Sequence, residues 1–301
     1  MPQDPEKHPE HEQLPHYDVK ELAVLSELSD DHYANRLKRI QNKEGFVCDM
    51  DGVIYHGSKL LPGVKEFISF LQRENKKFLF LTNNSAPTPR ELSQKLHRLG
   101  LDITEDHFYT SAMATASFLK TQKPNGGTAY VIGEPGLTYA LYEAGFTMSE
   151  VDPDYVVVGE GNSHNFEKIT RAVNLVLKGA KLIGTNPDVN GPTEFGIMPA
   201  TGAFVAAIEL ATGKKAFYCG KPSSLIMRYA ASILGTKKDE TCIIGDRMDT
   251  DILAGTYAQI DPVLVLSGVT NKHNLFNEAY RPYIVLNGVG ELAKTSASAS
   301  E

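Results

Sequence analysis

The sequence predicts an α/β protein built on parallel sheets with helices on both faces. Three observations carry this reading. Short apolar runs at 46–48, 78–81, 130–132, 155–158, 182–183, 242–244 and 263–266 are continuous rather than alternating, as a strand buried on both faces requires. Helical patterns follow several of them, at 64–74, 90–99, 166–177 and 225–234, which is the strand–helix alternation of a parallel sheet. A length of 301 residues is enough for about two domains, each with a core of its own.

Taken in chain order, residues 1–16 are polar and broken by proline, and are expected to lack structure. Between 18 and 39 the spacing of Leu22, Val24, Leu25, Leu28 and Leu37 predicts one or two short amphipathic helices. The runs and helical patterns above then fill the chain. Tyr139, Tyr142 and Phe146 are spaced as one helix face and read as core packing rather than as a base-stacking platform. The Ser/Ala-rich stretch 295–301 is expected to fray.

Composition narrows the function. Apolar residues make up 42% and charged residues 22%, which excludes a wholly disordered chain, a collagen-like repeat and a disulfide scaffold. A net charge of -7 argues against binding a nucleic-acid polymer, so an anionic ligand would need local positive charge. The three cysteines, Cys48, Cys219 and Cys242, form no C-x-x-C pair and read as reduced core residues. With no secretory h-region and no apolar run of the ~18 residues a bilayer span needs, no membrane association and a cytoplasmic location are expected.

Four apolar runs end in polar residues. One leads into Asp49, Asp51 and Gly52, a second into Thr82-Asn83-Asn84-Ser85, a third into Gly220-Lys221-Pro222-Ser223, and a fourth into Gly245-Asp246, with Asp249 and Asp251 beyond. In an open parallel sheet the carboxyl ends of the strands line one crevice, where such folds bind ligands. Three carboxylates together repel one another, and a hard cation with oxygen ligands relieves this; Mg²⁺ with a substrate phosphate is the natural choice. One carboxylate can then act as nucleophile. Asp51, two residues beyond Asp49, lies on the same side of an extended backbone and can transfer protons. Lysine, threonine and asparagine supply positive charge and donors for phosphoryl oxygens.

Each fragment alone has a blander explanation. Asp-x-Asp-Gly is usually a turn; a calcium loop would need glycine and glutamate where Ile54 and Leu60 stand. Thr82 to Ser85 could cap a helix, Lys221 could be a surface lysine with Ser223 or Ser224 capping the next helix, and the aspartates could favour a helix N-terminus, which stays the reading of Asp249. Joint occurrence, each fragment at the end of an apolar run, favours the single site. Gly159-Glu160-Gly161 is no dinucleotide fingerprint, because His164 takes the third glycine place. His8, His11 and His16 lie in the proline-broken end and read as no metal site.

The set Asp-x-Asp-Gly-Val, Thr-Asn, Gly-Lys-Pro-Ser and Gly-Asp-x-x-x-x-Asp closely resembles the haloacid dehalogenase superfamily of phosphatases. The stretches 110–116, 185–188 and 266–269 resemble its NagD-type branch, and the likeness runs over about 45–288. It implies a doubly wound parallel-sheet core at 45–112 and 216–290, an inserted α/β cap at 113–215, an N-terminal extension at 1–44 and a tail at 291–301. It implies that Asp49 is the nucleophile and Asp51 the general acid/base that also meets the substrate. Asp49, the Asp51 backbone carbonyl and Asp246 would hold Mg²⁺ with support from Asp251, and Thr82, Asn83 and Lys221 would bind the phosphoryl group. The implied reaction is hydrolysis of small phosphomonoesters: nucleoside monophosphates such as UMP and GMP, or phosphoglycolate, pyridoxal phosphate or nitrophenyl phosphate. The loop-like stretches 185–190 and 199–203 are expected to face the substrate. Asp51 speaks against a carbon–halide hydrolase, and the filled motif positions speak against a catalytically silent binding module. The 44 residues before the first motif depart from the branch and leave the oligomeric state open, a homo-oligomer included.

Overall fold

The computed structural model describes residues 14–193 and 196–294. The expectations for 1–13, with His8 and His11, and for 295–301 lie outside the described residues. Six parallel strands form the first sheet, in the order Ile284–Leu286, Asp261–Val265, Thr241–Gly245, Gly45–Cys48, Lys77–Thr82 and Phe108–Thr110. In the two central pairings Phe46 lies opposite both Cys242 and Phe78.

The unbroken apolarity of these strands has a direct cause. Successive side chains point to opposite faces. Phe46, Cys48, Phe78, Phe80 and Ile244 enter one core cluster, while Val47, Leu79, Leu81 and Ile243 enter another. The first face is covered by the helix Val64–Arg73, through Phe67, Phe70 and Leu71, and by Pro89–Arg98, through Leu92 and Leu96. The second is covered by Ser111–Gln122 and Ser224–Leu234. Thr88 and Glu91 form a capping box that fixes the start of Pro89–Arg98, and Ser223 caps Ser224–Leu234.

Between the halves of this sheet the chain builds a second one. Its five parallel strands run in the order Phe217–Tyr218, Lys181–Gly184, Tyr155–Val158, Gly127–Ile132 and Phe146–Met148. Phe166–Lys178 and Thr201–Thr212 pack on it through Ala172, Leu175, Val176, Val205 and Ile208. A hairpin of Asn190–Thr193 and Gly196–Pro199 leaves the end of Lys181–Gly184. The fold is α/β, with a second α/β unit inserted into the first.

The extension forms two helices, Val19–Leu25 and Asp30–Gln41, and both are built into the core. They lie along Ile284–Leu286, an edge strand of the six-stranded sheet. The Val285 N–H donates to Ser26 Oγ at 3.0 Å, and Tyr33 Oη donates to the Val285 carbonyl at 2.9 Å. The arm therefore satisfies polar groups that an open edge would present to another strand.

One expectation needs correction. Tyr139 and Tyr142 are 56% and 70% exposed on the helix Pro135–Glu143, whereas Phe146 is buried in the following strand. The helix buries Leu137 and Leu141 instead, so the aromatic spacing marked its outer side. Asp249 stands in the first turn of the short, wide helix Met248–Ile252, as expected, and its carboxylate also holds Arg247 through Nε at 3.1 Å and Nη2 at 2.8 Å.

Candidate active site

The carboxyl ends of four strands meet in one place, so residues almost 200 positions apart in sequence become neighbours. Asp49 leaves the end of Gly45–Cys48, and Asp246 leaves the end of Thr241–Gly245. A wide turn, Met248–Ile252, brings Asp251 back toward them. Carboxylate oxygens of Asp49, Asp246 and Asp251 lie within 4.8 Å of one another. Lys221 enters between two of them: its Nζ donates to Asp49 Oδ1 at 2.6 Å, to Asp251 Oδ1 at 2.7 Å and to the Leu81 carbonyl at 3.0 Å.

One ammonium does not balance three buried acids, and the protonation equilibria register the excess. Burial raises the Asp49 pKa well above the usual carboxylate range, against the pull of Lys221. Burial, with repulsion from Asp251, pushes Asp246 up to about 7. Burial alone would favour neutral Lys221, but Asp251 and Asp49 hold it charged with a raised pKa.

A hard divalent cation fits this donor set. Asp246 spends Oδ2 on the Val269 N–H at 2.7 Å, and Oδ1 accepts from no described residue. Asp49 likewise keeps Oδ2 free of described donors, and so does the Asp51 carbonyl. Asp251 has both oxygens engaged, Oδ1 by Lys221 and Oδ2 by the Arg247 N–H at 3.2 Å. Gly52 permits close approach: its φ is +77°, and a Cβ there would lie 2.5 Å from Asp246 Oδ2.

The remaining expected residues converge on the same place in different states. Asp51 opens to solvent, while the protein packed about its carboxyl raises its pKa against the Lys95 charge. Thr82 is buried at its strand end, and its Oγ1 accepts the Asn84 N–H at 3.1 Å. The Asn83 side chain is already committed: Oδ1 accepts the Lys221 N–H at 2.8 Å, and Nδ2 donates to the Lys221 carbonyl and to Asp188 Oδ2, both at 3.0 Å. It holds the Lys221 loop in place.

Asp188 is a residue the sequence reading did not single out, although it lies in a stretch expected to face substrate. Burial pushes it up to about 6, against the Asn83 hydrogen bond. The pair Thr185-Asn186 ends a strand of the inserted sheet as Thr82-Asn83 ends one of the first, and this echo was the available signal. Asn186 Nδ2 donates to the Asn83 carbonyl at 2.8 Å, and the Glu160 N–H donates to Ser85 Oγ at 2.8 Å. The inserted unit therefore meets the first sheet at the Asn83–Ser85 loop itself.

Residues 46–147 match the family model of haloacid dehalogenase-like hydrolases, and residues 218–292 match a second, HAD-hydrolase-like model. A dihydroxyacetone phosphatase of Corynebacterium glutamicum is 46% identical over 248 residues, covering 82% of this chain and 90% of that protein. The chain belongs to the haloacid dehalogenase-like hydrolases. Within them it falls in the NagD-like phosphatase branch: the ribonucleotide monophosphatase NagD of Escherichia coli is 42% identical over 246 residues, 82% of this chain and 96% of the relative. Among solved structures, a 4-nitrophenylphosphatase from Thermotoga maritima superposes with a TM-score of 0.81 at 34% identity, covering 85% of this chain and 98% of that one. NagD from E. coli superposes at 0.77 with 40% identity, over 83% and 98%. No helix among the described residues is long and apolar enough to cross a membrane.

Proposed function

We propose that this phosphatase is a Mg²⁺-dependent phosphomonoester hydrolase working through an aspartyl-phosphate on Asp49, with nucleoside 5′-monophosphates such as UMP and GMP, or similar small phosphometabolites, as substrates. The observation that carries this reading is the Lys221 bridge between Asp49 and Asp251, set within reach of Asp246. Lys221 draws Asp49 toward its ionised form against the effect of burial and offers positive charge to phosphoryl oxygens. Asp49, the Asp51 carbonyl and Asp246 would hold the ion, and Asp251 would orient Lys221. Bound there, Mg²⁺ would supply charge neutralisation for the phosphoryl group.

In the first step an Asp49 carboxylate oxygen attacks phosphorus, and the P–O bond to the leaving group breaks. Asp51 gives its proton to the departing oxygen. In the second step Asp51 takes a proton from water, whose oxygen attacks phosphorus; the Asp49–phosphorus bond breaks, returning the Asp49 carboxylate and inorganic phosphate. Thr82 and the Asn83 backbone would contact phosphoryl oxygens, with the Asn83 side chain holding the Lys221 loop. Of the 113–215 expected for the cap, the part up to Gln122 belongs to the helix that covers the first sheet, and the rest, extended by the strand Phe217–Tyr218, would act as the cap that excludes water and selects the leaving group. The three buried free thiols suit a reducing cytoplasm.

The relatives' names, a dihydroxyacetone phosphatase, a ribonucleotide monophosphatase and a 4-nitrophenylphosphatase, support a small phosphomonoester; the panel is dihydroxyacetone phosphate and nitrophenyl phosphate together with UMP, GMP, phosphoglycolate and pyridoxal phosphate from the family resemblance. Phosphate release is measured with and without Mg²⁺, beside Asp49→Asn. The expected result is Mg²⁺-dependent release that the variant abolishes, with kcat/KM ranking the substrates. Full activity in Asp49→Asn would overturn the mechanism.

A further inference from the structure

We propose that Tyr55 and Lys95 form a positioning pair that orients the Asp51 carboxyl for proton transfer to the leaving oxygen. The inference rests on the reading of Asp51 as acid/base. After Asp51 the chain reverses at once. The Gly52 N–H donates to the Tyr55 carbonyl at 2.9 Å, and the Tyr55 N–H donates to the Met50 carbonyl at 3.2 Å. The turn brings Tyr55 back alongside Asp51, from which it starts a short hairpin with Lys59–Leu60. Tyr55 is 3% exposed, whereas Asp51 is open to solvent.

The Tyr55 hydroxyl donates to Asp51 Oδ2 at 3.4 Å, and Oδ1 accepts from no described residue. A carboxylic acid carries its proton on one oxygen, and a donor at the other oxygen selects which. With the Tyr55 hydroxyl on Oδ2, the proton belongs on Oδ1, the oxygen left free for the substrate. When that proton leaves, the same hydroxyl stabilises the carboxylate formed.

Lys95 completes the arrangement. It stands on Pro89–Arg98, and its Nζ lies 3.4 Å from the centre of the Tyr55 ring. A cation on the ring face draws electron density from the phenol and makes its hydroxyl a better donor. The ring is thereby clamped between the core beneath it and the half-buried ammonium. Forty positions separate Tyr55 from Lys95, and no local pattern joins them.

A tyrosine that merely packs would give the same contacts with no effect specific to proton transfer. Leaving-group dependence separates the two cases. The full chain, Tyr55→Phe, Lys95→Met and Lys95→Arg are assayed for kcat/KM on 4-nitrophenyl phosphate and on phenyl phosphate. The two esters are close in shape, but phenolate is the more basic leaving group and needs more help from the acid. Tyr55→Phe keeps the ring and Lys95→Met most of the stem, so both preserve the packing, which thermal unfolding checks. Both are expected to lose more on phenyl phosphate, raising the nitrophenyl-to-phenyl ratio by about tenfold over the parent. Lys95→Arg, which keeps a cation over the ring, is expected to restore most of the ratio. An unchanged ratio in both Tyr55→Phe and Lys95→Met overturns the positioning role while leaving the phosphatase reading intact. A parent that releases phosphate from neither ester overturns that reading and the positioning role with it.

Discussion

Lys221 is the residue on which the electrostatics of the site turn. It is almost fully buried, yet it stays charged because two carboxylates accept its protons within 2.7 Å. Breaking a buried pair by removing one partner leaves uncompensated charge, at a cost of about 3–5 kcal/mol. Lys221→Met should therefore lower the unfolding free energy by about that amount at neutral pH, and Asp49 should then hold its proton and cease to attack. Phosphate release is expected to fall by about 10²-fold or more, the scale of losing one electrostatic contact to a developing charge. Denaturant unfolding and steady-state assays read the two effects separately. A variant with parental stability and activity would mean that Lys221 is not the counter-charge the geometry makes it.

At the scale of elements, the N-terminal arm is the clearest case of a segment acting through another. Tyr33 is 2% exposed and sends its hydroxyl to the Val285 carbonyl. Arg36 donates to the Tyr283 carbonyl at 2.6 Å while its guanidinium lies over the Tyr283 ring. Tyr33→Phe removes one hydrogen bond and leaves a buried acceptor unsatisfied, so a loss of about 1–2 kcal/mol is expected. In a chain of this size that is a fall of about 2–8 °C in melting temperature, readable by calorimetry. No change would mean that the carbonyl finds another donor. The same arm explains why a passive tail is the wrong picture: Leu22, Ala23, Tyr33 and Ile40 are part of the main core cluster.

The whole molecule stores its acids at a cost that should depend on pH. Asp246 has an ordinary value of 3.8 and is raised to about 7 in the folded protein. The folded state then binds more protons than the unfolded one between those values. This contribution to stability is fully present below 3.8 and is lost as pH rises through about 7. A divalent ion bound at the same carboxylate reverses the trend, because it binds the ionised form and only the folded chain assembles the site. The gain in melting temperature on adding Mg²⁺ should thus be larger at about pH 8 than at about pH 5.5. Chelation should remove both the gain and the activity. Equal gains at both pH values would show that Asp246 is not where the ion binds.

The amino-acid sequence by itself determined the fold class and the corners of the site, because both are written locally. A strand buried on two faces must be apolar at every position, so the runs containing Phe46, Phe80 and Ile243 were legible. Asp49, Thr82 and Asp246 stand at or just past the ends of such runs, and Lys221 just past the short strand Phe217–Tyr218. Three-residue strands such as Ile284–Leu286 escaped notice, since so short a run carries no period. Thr201–Thr212 escaped for a different reason: with several alanines and glycine it shows no sharp apolar stripe. Only the tertiary structure decided that the Asn83 side chain is spent on Lys221 and Asp188, that Asp249 serves Arg247, and that the arm covers Val285. The Asn83 and Val285 contacts join elements far apart in the chain, and the Asp249 contact depends on where the backbone turn places Arg247. Hydrophobic periodicity reports which face of an element is buried, but not what lies on the other side of the contact.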